Sequence, residues 1–149
     1  MLWLFTSPLA YAEQETISPA QIDTLHIEAL RLKNEGRYSK AEEIFKRILT
    51  VEPENPNAHF DLGNTYLIQK KYNEAFNQYN KAESLGVRSD DYYFNLSLCY
   101  IGLGNNKEAI GYLEKCLSLN PDYPEAKNLL ELVKEAYENN EKLVINLAE

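Results

Sequence analysis

An all-α solenoid of three helix-turn-helix units closed by a capping helix is the architecture this sequence predicts, on three observations. Alanine recurs at Ala41, Ala75 and Ala109, 34 residues apart each time. Each is followed four residues later by a large side chain, Phe45, Tyr79 and Leu113, a spacing that puts both on one helix face. A matching half precedes the later alanines, His59-x-x-Leu62-Gly63-x-x-Tyr66 and Tyr93-x-x-Leu96-Ser97-x-x-Tyr100. Self-similarity at a fixed period of this length marks a repeat protein whose units stack into one continuous core.

The elements follow in order. Ser18-Pro19-Ala20-Gln21 opens the first helix, with a serine N-cap, proline at the first helical position and a glutamine three after the cap. From Ile22 the units run 22–55, 56–89 and 90–123, each a helix pair around a short turn holding Gly36, Lys70 or Gly104. Glycine suits the left-handed residue that ends a helix, so Lys70 should cost on the order of 1 kcal/mol. Second helices are expected to open at Ser39, Asn73 and Asn106, with Ser39-x-x-Glu42 as a capping box. Pro53 and Pro121 close units one and three, Gly86 ends unit two, and Asn55-Pro56 starts the next helix.

Positions 3, 7, 10 and 14 of each first helix should press on the preceding unit. Unit two has Ala58, Leu62, Thr65 and Gln69 there, and unit three has Tyr92, Leu96, Cys99 and Leu103. Unit one has Thr24, Glu28, Arg31 and Glu35, a face built for water, so it begins the stack. In the last helix, from Pro124 to about residue 139, the same positions are Ala126, Leu130, Val133 and Tyr137, able to cover unit three. Its positions for gripping a second helix are Lys127, Glu131 and Lys134, so it is read as a one-helix cap.

The ends of the chain need separate treatment. Residues 1–12 (MLWLFTSPLAYA) are apolar and give way at once to Glu13-Gln14-Glu15, which resembles a secretory signal peptide cleaved after Ala12. The expectation is an exported, periplasmic protein, with an apolar tail on a cytoplasmic protein as the alternative. This stretch is too short to span a bilayer as a helix. Residues 13–17 read as a linker, 18–139 as the repeat domain and 140–149 as a tail whose Leu143, Val144, Ile145 and Leu147 the repeat does not explain.

A net charge of -8 argues against a nucleic-acid partner, since affinity there comes from Lys and Arg neutralising phosphates. It suits a neutral or basic protein ligand. Four of the eleven tyrosines, Tyr66, Tyr72, Tyr79 and Tyr100, fall on packing positions. Cys99 and Cys116 sit on antiparallel helices about two turns out of step, which puts them out of disulfide reach and makes them small core residues. Neither a metal site nor a cofactor is expected, because there is no Cys-x-x-Cys and neither His26 nor His59 shares a helix with the cysteines. No catalytic constellation can be assembled either: there is no Gly-rich phosphate loop, and Glu42-Glu43 and Asp90-Asp91 fall on solvent faces or caps. Asn95-Leu96-Ser97 spells a glycosylation acceptor, but Leu96 is a packing position, so it is read as coincidence.

Residues 22–123, unit two best and unit three well, resemble the tetratricopeptide repeat in its sequence of an aromatic, Leu-Gly, Tyr, Ala, Phe and Pro at fixed offsets. The resemblance implies a right-handed superhelix whose first helices line a concave groove that binds peptides or protein segments. In this family ligand contacts come mostly from first-helix positions 2, 5, 6, 9, 12 and 13. These are Asp23, His26, Ile27, Leu30, Lys33 and Asn34 in unit one, then Asn57, Phe60, Asp61, Asn64, Leu67 and Ile68. Unit three supplies Asp91, Phe94, Asn95, Leu98, Ile101 and Gly102.

Candidate peptide-binding residues are therefore His26, Leu30, Phe60, Asn64, Leu67, Ile68, Phe94, Asn95, Leu98 and Ile101. Phe60 and Phe94 are expected to form an aromatic ladder, with Leu67, Leu98 and Ile101 continuing an exposed apolar stripe; the alternative is that these side chains only pack on neighbouring first helices. Asn64 and Asn95 would pair with ligand backbone, whatever its sequence. A subgroup of the family clamps the C-terminal carboxylates of chaperones with Lys, Asn and Arg. Here the corresponding residues are His26, Leu30, Asp61, Asp91 and Asn95, and the two carboxylates would repel such a ligand.

The expected function is a non-enzymatic adaptor or assembly factor holding an apolar, neutral-to-basic peptide or helix in its groove. The alternatives are a scaffold that self-associates, residues 143–147 included, and a secretion or assembly chaperone with many apolar clients.

Overall fold

The structure, a computed structural model, describes residues 17–139. The apolar residues 1–12, with the cleavage expected there, and the tail at 140–149 lie outside the described residues. Among the described residues seven helices follow in sequence: α1 (Pro19–Asn34), α2 (Tyr38–Val51), α3 (Pro56–Ile68), α4 (Tyr72–Ser84), α5 (Asp90–Gly102), α6 (Asn106–Leu119) and α7 (Pro124–Glu138). Among the described residues no helix is long and apolar enough to cross a membrane.

First helices are capped by side chains. The Gln21 N–H donates to Ser18 Oγ (3.3 Å) while the Ser18 N–H donates to Gln21 Oε1 (2.7 Å), a reciprocal capping box. Asn55 accepts from the Ala58 N–H (2.9 Å) and Ser89 from the Tyr92 N–H (3.1 Å). Second helices differ from the expectation. They begin at Tyr38, Tyr72 and Asn106 behind Arg37, Lys71 and Asn105, with no side-chain cap, and Ser39 and Asn73 lie inside the first turn.

The backbone explains the shift. Arg37 N–H donates to Leu32 O (2.8 Å) and Gly36 N–H to Lys33 O (3.0 Å), the paired bonds that terminate a helix around a left-handed residue. Lys71 to Tyr66 and Asn105 to Tyr100 repeat the pattern. The residue closing one helix thus opens the next, which leaves no room for a separate cap. Lys70 adopts φ 58°, in step with Gly36 at 75° and Gly104 at 80°, so the lysine does stand where glycine is preferred.

Each helix packs on its sequence neighbour; in addition α1 touches α3 and α3 touches α5, while the second helices make no comparable contact among themselves. The array therefore curves with first helices inside. Ala41, Ala75 and Ala109 are fully buried together with Phe45, Tyr79 and Leu113, which makes the repeated pairs the spine of the core. Gly63 lets α3 and α4 approach: a Cβ there would lie 2.6 Å from the Tyr79 ring.

Thr24, Glu28, Arg31 and Glu35 are all exposed, so unit one does present a polar starting face. At the far end Ala126 and Val133 are buried and Leu130 partly so, while Tyr137 stays 50% exposed beside the unit-three turn at residues 104–108; Leu129 and Ala136 are buried as well. Cys99 and Cys116 are free and buried. Burial pushes the Cys99 thiol up to about 12 and the Cys116 thiol to about 11.

Candidate functional site: the concave face

The inner face is laid down by α1, α3 and α5, and its floor carries a row of linked polar groups. Asp61, on α3, faces His26 Nε2 at 2.8 Å and Lys33 Nζ at 3.4 Å, both from α1. A carboxylate only accepts, so that imidazole nitrogen carries a proton. The same Asp61 oxygen that meets Lys33 lies 3.5 Å from Asn64 Nδ2, one helical turn on. Asn64 Oδ1 in turn accepts from Tyr79 Oη (2.7 Å) and from Asn95 Nδ2 (2.9 Å), carrying the row from α1 through α3 to α5. Burial pushes the Tyr79 phenol well above its ordinary range, so it is a fixed donor at neutral pH.

This arrangement separates the two candidate amides. Asn64 is committed on both sides, whereas Asn95 uses one N–H and keeps its Oδ1 and second N–H for another partner. The basic side chains of the groove are likewise committed: His26 and Lys33 are held by Asp61, while Asp23, Asp91 and Glu125 are exposed. Asp91 accepts from Tyr123 Oη at 2.9 Å.

The apolar candidates divide as well. Leu30, Phe60, Ile68 and Phe94 are half-buried and reach the surface with His26, Asn64 and Asn95. Leu67 (4% exposed), Leu98 (8%) and Ile101 (1%) are covered by neighbouring helices, so the exposed stripe expected there is not present. The tight inner curve brings first helices together over these three side chains. Phe60 and Phe94 each meet a tyrosine: Phe60 tilts against Tyr79 (5.9 Å between centroids) and Phe94 stacks on Tyr123 (5.0 Å). Two ring pairs take the place of the expected ladder.

Sequence reasoning missed three contributors. Tyr79 reads as core from its period, which says nothing of its hydroxyl emerging under Asn64. Tyr123 lies in the loop before α7, outside the helical positions. Leu132, 53% exposed, occupies in α7 the position that Leu30, Asn64 and Leu98 occupy in α1, α3 and α5; continuing the register past residue 123 finds it. Ile27, at the opposite end, is 69% exposed. The Asn95-Leu96-Ser97 acceptor is locked in α5, with Leu96 and Ser97 buried and the serine hydroxyl donating to Phe94 O at 2.6 Å.

The family model described as Anaphase-promoting complex, cyclosome, subunit 3 matches residues 34–116, more than half of the chain. The mitochondrial import receptor subunit TOM70 of Saccharomyces cerevisiae (strain ATCC 204508 / S288c) is 41% identical over 64 residues, covering 42% of this chain and 10% of its own length. The Hsp70-Hsp90 organizing protein of Triticum aestivum is 28% identical over 109 residues, 73% of this chain and 18% of its own. This chain thus spans less than a fifth of either relative. Among solved structures, the first tetratricopeptide repeat domain of Spaghetti (RPAP3), bound to the HSP90 peptide SRMEEVD, has a TM-score of 0.76 at 22% identity, with 83% of this chain and 98% of that one covered. That likeness is one of fold. Repeat register, helix order and these matches agree: the chain belongs to the tetratricopeptide repeat proteins, within the family described as Anaphase-promoting complex, cyclosome, subunit 3.

Proposed function

We propose that the chain is a non-enzymatic interaction module that holds an apolar, neutral-to-basic protein segment in its concave groove and acts as an adaptor or assembly factor. One observation carries this reading. Half-buried Leu30, Phe60 and Phe94 share a face with the Asn95 amide, which spends one N–H on Asn64 and has its Oδ1 and second N–H to offer, so apolar surface and a backbone hydrogen-bonding group occur together. The preference for a neutral or basic partner follows from charge: the groove's Lys33 and His26 are tied to Asp61, and exposed Asp23, Asp91 and Glu125 remain. An acidic peptide such as the SRMEEVD bound in the Spaghetti domain would meet those carboxylates.

The test is affinity capture with the native chain and with a Phe60→Ala, Phe94→Ala variant, followed by calorimetry on a synthetic segment of the captured protein. If these rings are anchors, the variant should lose roughly 1 to a few kcal/mol of binding while its circular dichroism stays helical. Unchanged affinity would remove the groove from the account.

A further inference from the structure

The concave face differs in character along its length. Its centre is polar, the Asp61–Asn64–Asn95 row, and its exposed apolar side chains stand at the two ends, Ile27 on α1 and Leu132 on α7. Exposed carboxylates recur on one rim, at one equivalent repeat position of α1, α5 and α7: Asp23, Asp91 and Glu125. Resting on the reading of this groove as the binding face, we propose that its ligand is an extended, basic segment whose two apolar residues seat at Ile27 and Leu132, with cationic side chains between them along the acidic rim.

An apolar side chain left half in water gains by being covered, and both Ile27 and Leu132 remain uncovered in the free chain. Three helix-to-helix steps of about 8–10 Å separate α1 from α7, which an extended chain rising about 3.3 Å per residue spans in roughly eight residues. A helical ligand fits poorly. Its backbone groups are satisfied internally, so it would bury the Asn95 amide against an apolar stripe at a cost of about 1–3 kcal/mol, whereas an extended backbone supplies the missing donor and acceptor. The rim fixes the charge of the middle residues, because its exposed carboxylates attract cations while Lys33 and His26 are already held by Asp61.

The probe is a randomised peptide library long enough to span the groove, panned on the full chain and followed by titration of a fluorescent synthetic peptide of the enriched sequence. Enriched sequences should carry two apolar residues about eight positions apart with Lys or Arg between them. Ile27→Glu and Leu132→Glu should each weaken that peptide about tenfold or more, and Leu119→Glu, at an exposed apolar site on α6, should leave it unchanged. Apolar residues enriched at helical spacing, acidic consensus sequences, or no enrichment over the Ile27→Glu chain would overturn the proposal. Binding lost in the Phe60→Ala, Phe94→Ala variant but retained in Ile27→Glu and Leu132→Glu would refute the end-anchored ligand and leave the groove standing. Binding insensitive to all four substitutions would refute both.

Discussion

Lys71 of the second unit reaches back across the unit boundary to Glu42 of the first, its Nζ 3.0 Å from the carboxylate. Lys46 Nζ lies 2.7 Å from the other oxygen, and Tyr66 Oη and Gln69 Nε2 each donate at 3.4 Å. Both lysines also stand over the Tyr66 ring. Partial burial pushes the Glu42 carboxyl up, but the hydrogen bonds from Lys46, Lys71 and Gln69 outweigh it and hold the group at about 2 against an ordinary 4.5. Since the folded value is the lower, ionised Glu42 contributes stability above the ordinary value, and that contribution is lost as pH falls from there toward 2. Glu42→Gln should cost about 1 kcal/mol at pH 7 in urea unfolding, with the two chains converging near pH 2.

Two glycines should respond to alanine with opposite signs. Gly63→Ala drives a methyl into the Tyr79 ring and should destabilise by about 1–3 kcal/mol. Gly111, inside α6, has nothing within 4 Å of an added Cβ, so Gly111→Ala should stabilise by about 0.5–1 kcal/mol through helix propensity. Thermal unfolding of both variants checks the pair.

Lys70 holds a positive φ that its side chain disfavours. Lys70→Gly should raise stability by about 0.5–1 kcal/mol, measured by urea unfolding. A loss would mean that the α3–α4 turn relaxes without strain.

The cysteines supply a measure of cooperative packing. Burial leaves Cys99 and Cys116 protonated at pH 8, so a disulfide reagent such as Ellman's should find neither thiol in the native chain and both in denaturant. Fast native labelling of Cys116 would show that α6 opens away from α5 and α7.

The sequence made the array legible because its signals repeat: Ala41, Ala75 and Ala109 set a register, and against it the polar face of α1 and the odd residue Lys70 stand out. What it hid depended on distance. Ser39-x-x-Glu42 has the local form of a capping box, yet Glu42 answers to Lys71 and Gln69, more than 25 residues away. The groove was legible as a list of positions and not as a surface. Position alone does not say that Leu98 and Ile101 sink between first helices while Phe94 stays half-exposed, or that Asn64 is consumed by Tyr79 and Asn95. Those outcomes follow from curvature, which arises only when all the units stack.

Amide chemical-shift mapping of the isotope-labelled chain during titration with a library-selected peptide shows whether the concave face binds. Binding there shifts amides on α1, α3, α5 and the inner side of α7, with the Asn95 side-chain amide among the largest. Shifts confined to α2, α4 and α6, with Asn95 unmoved, would contradict it.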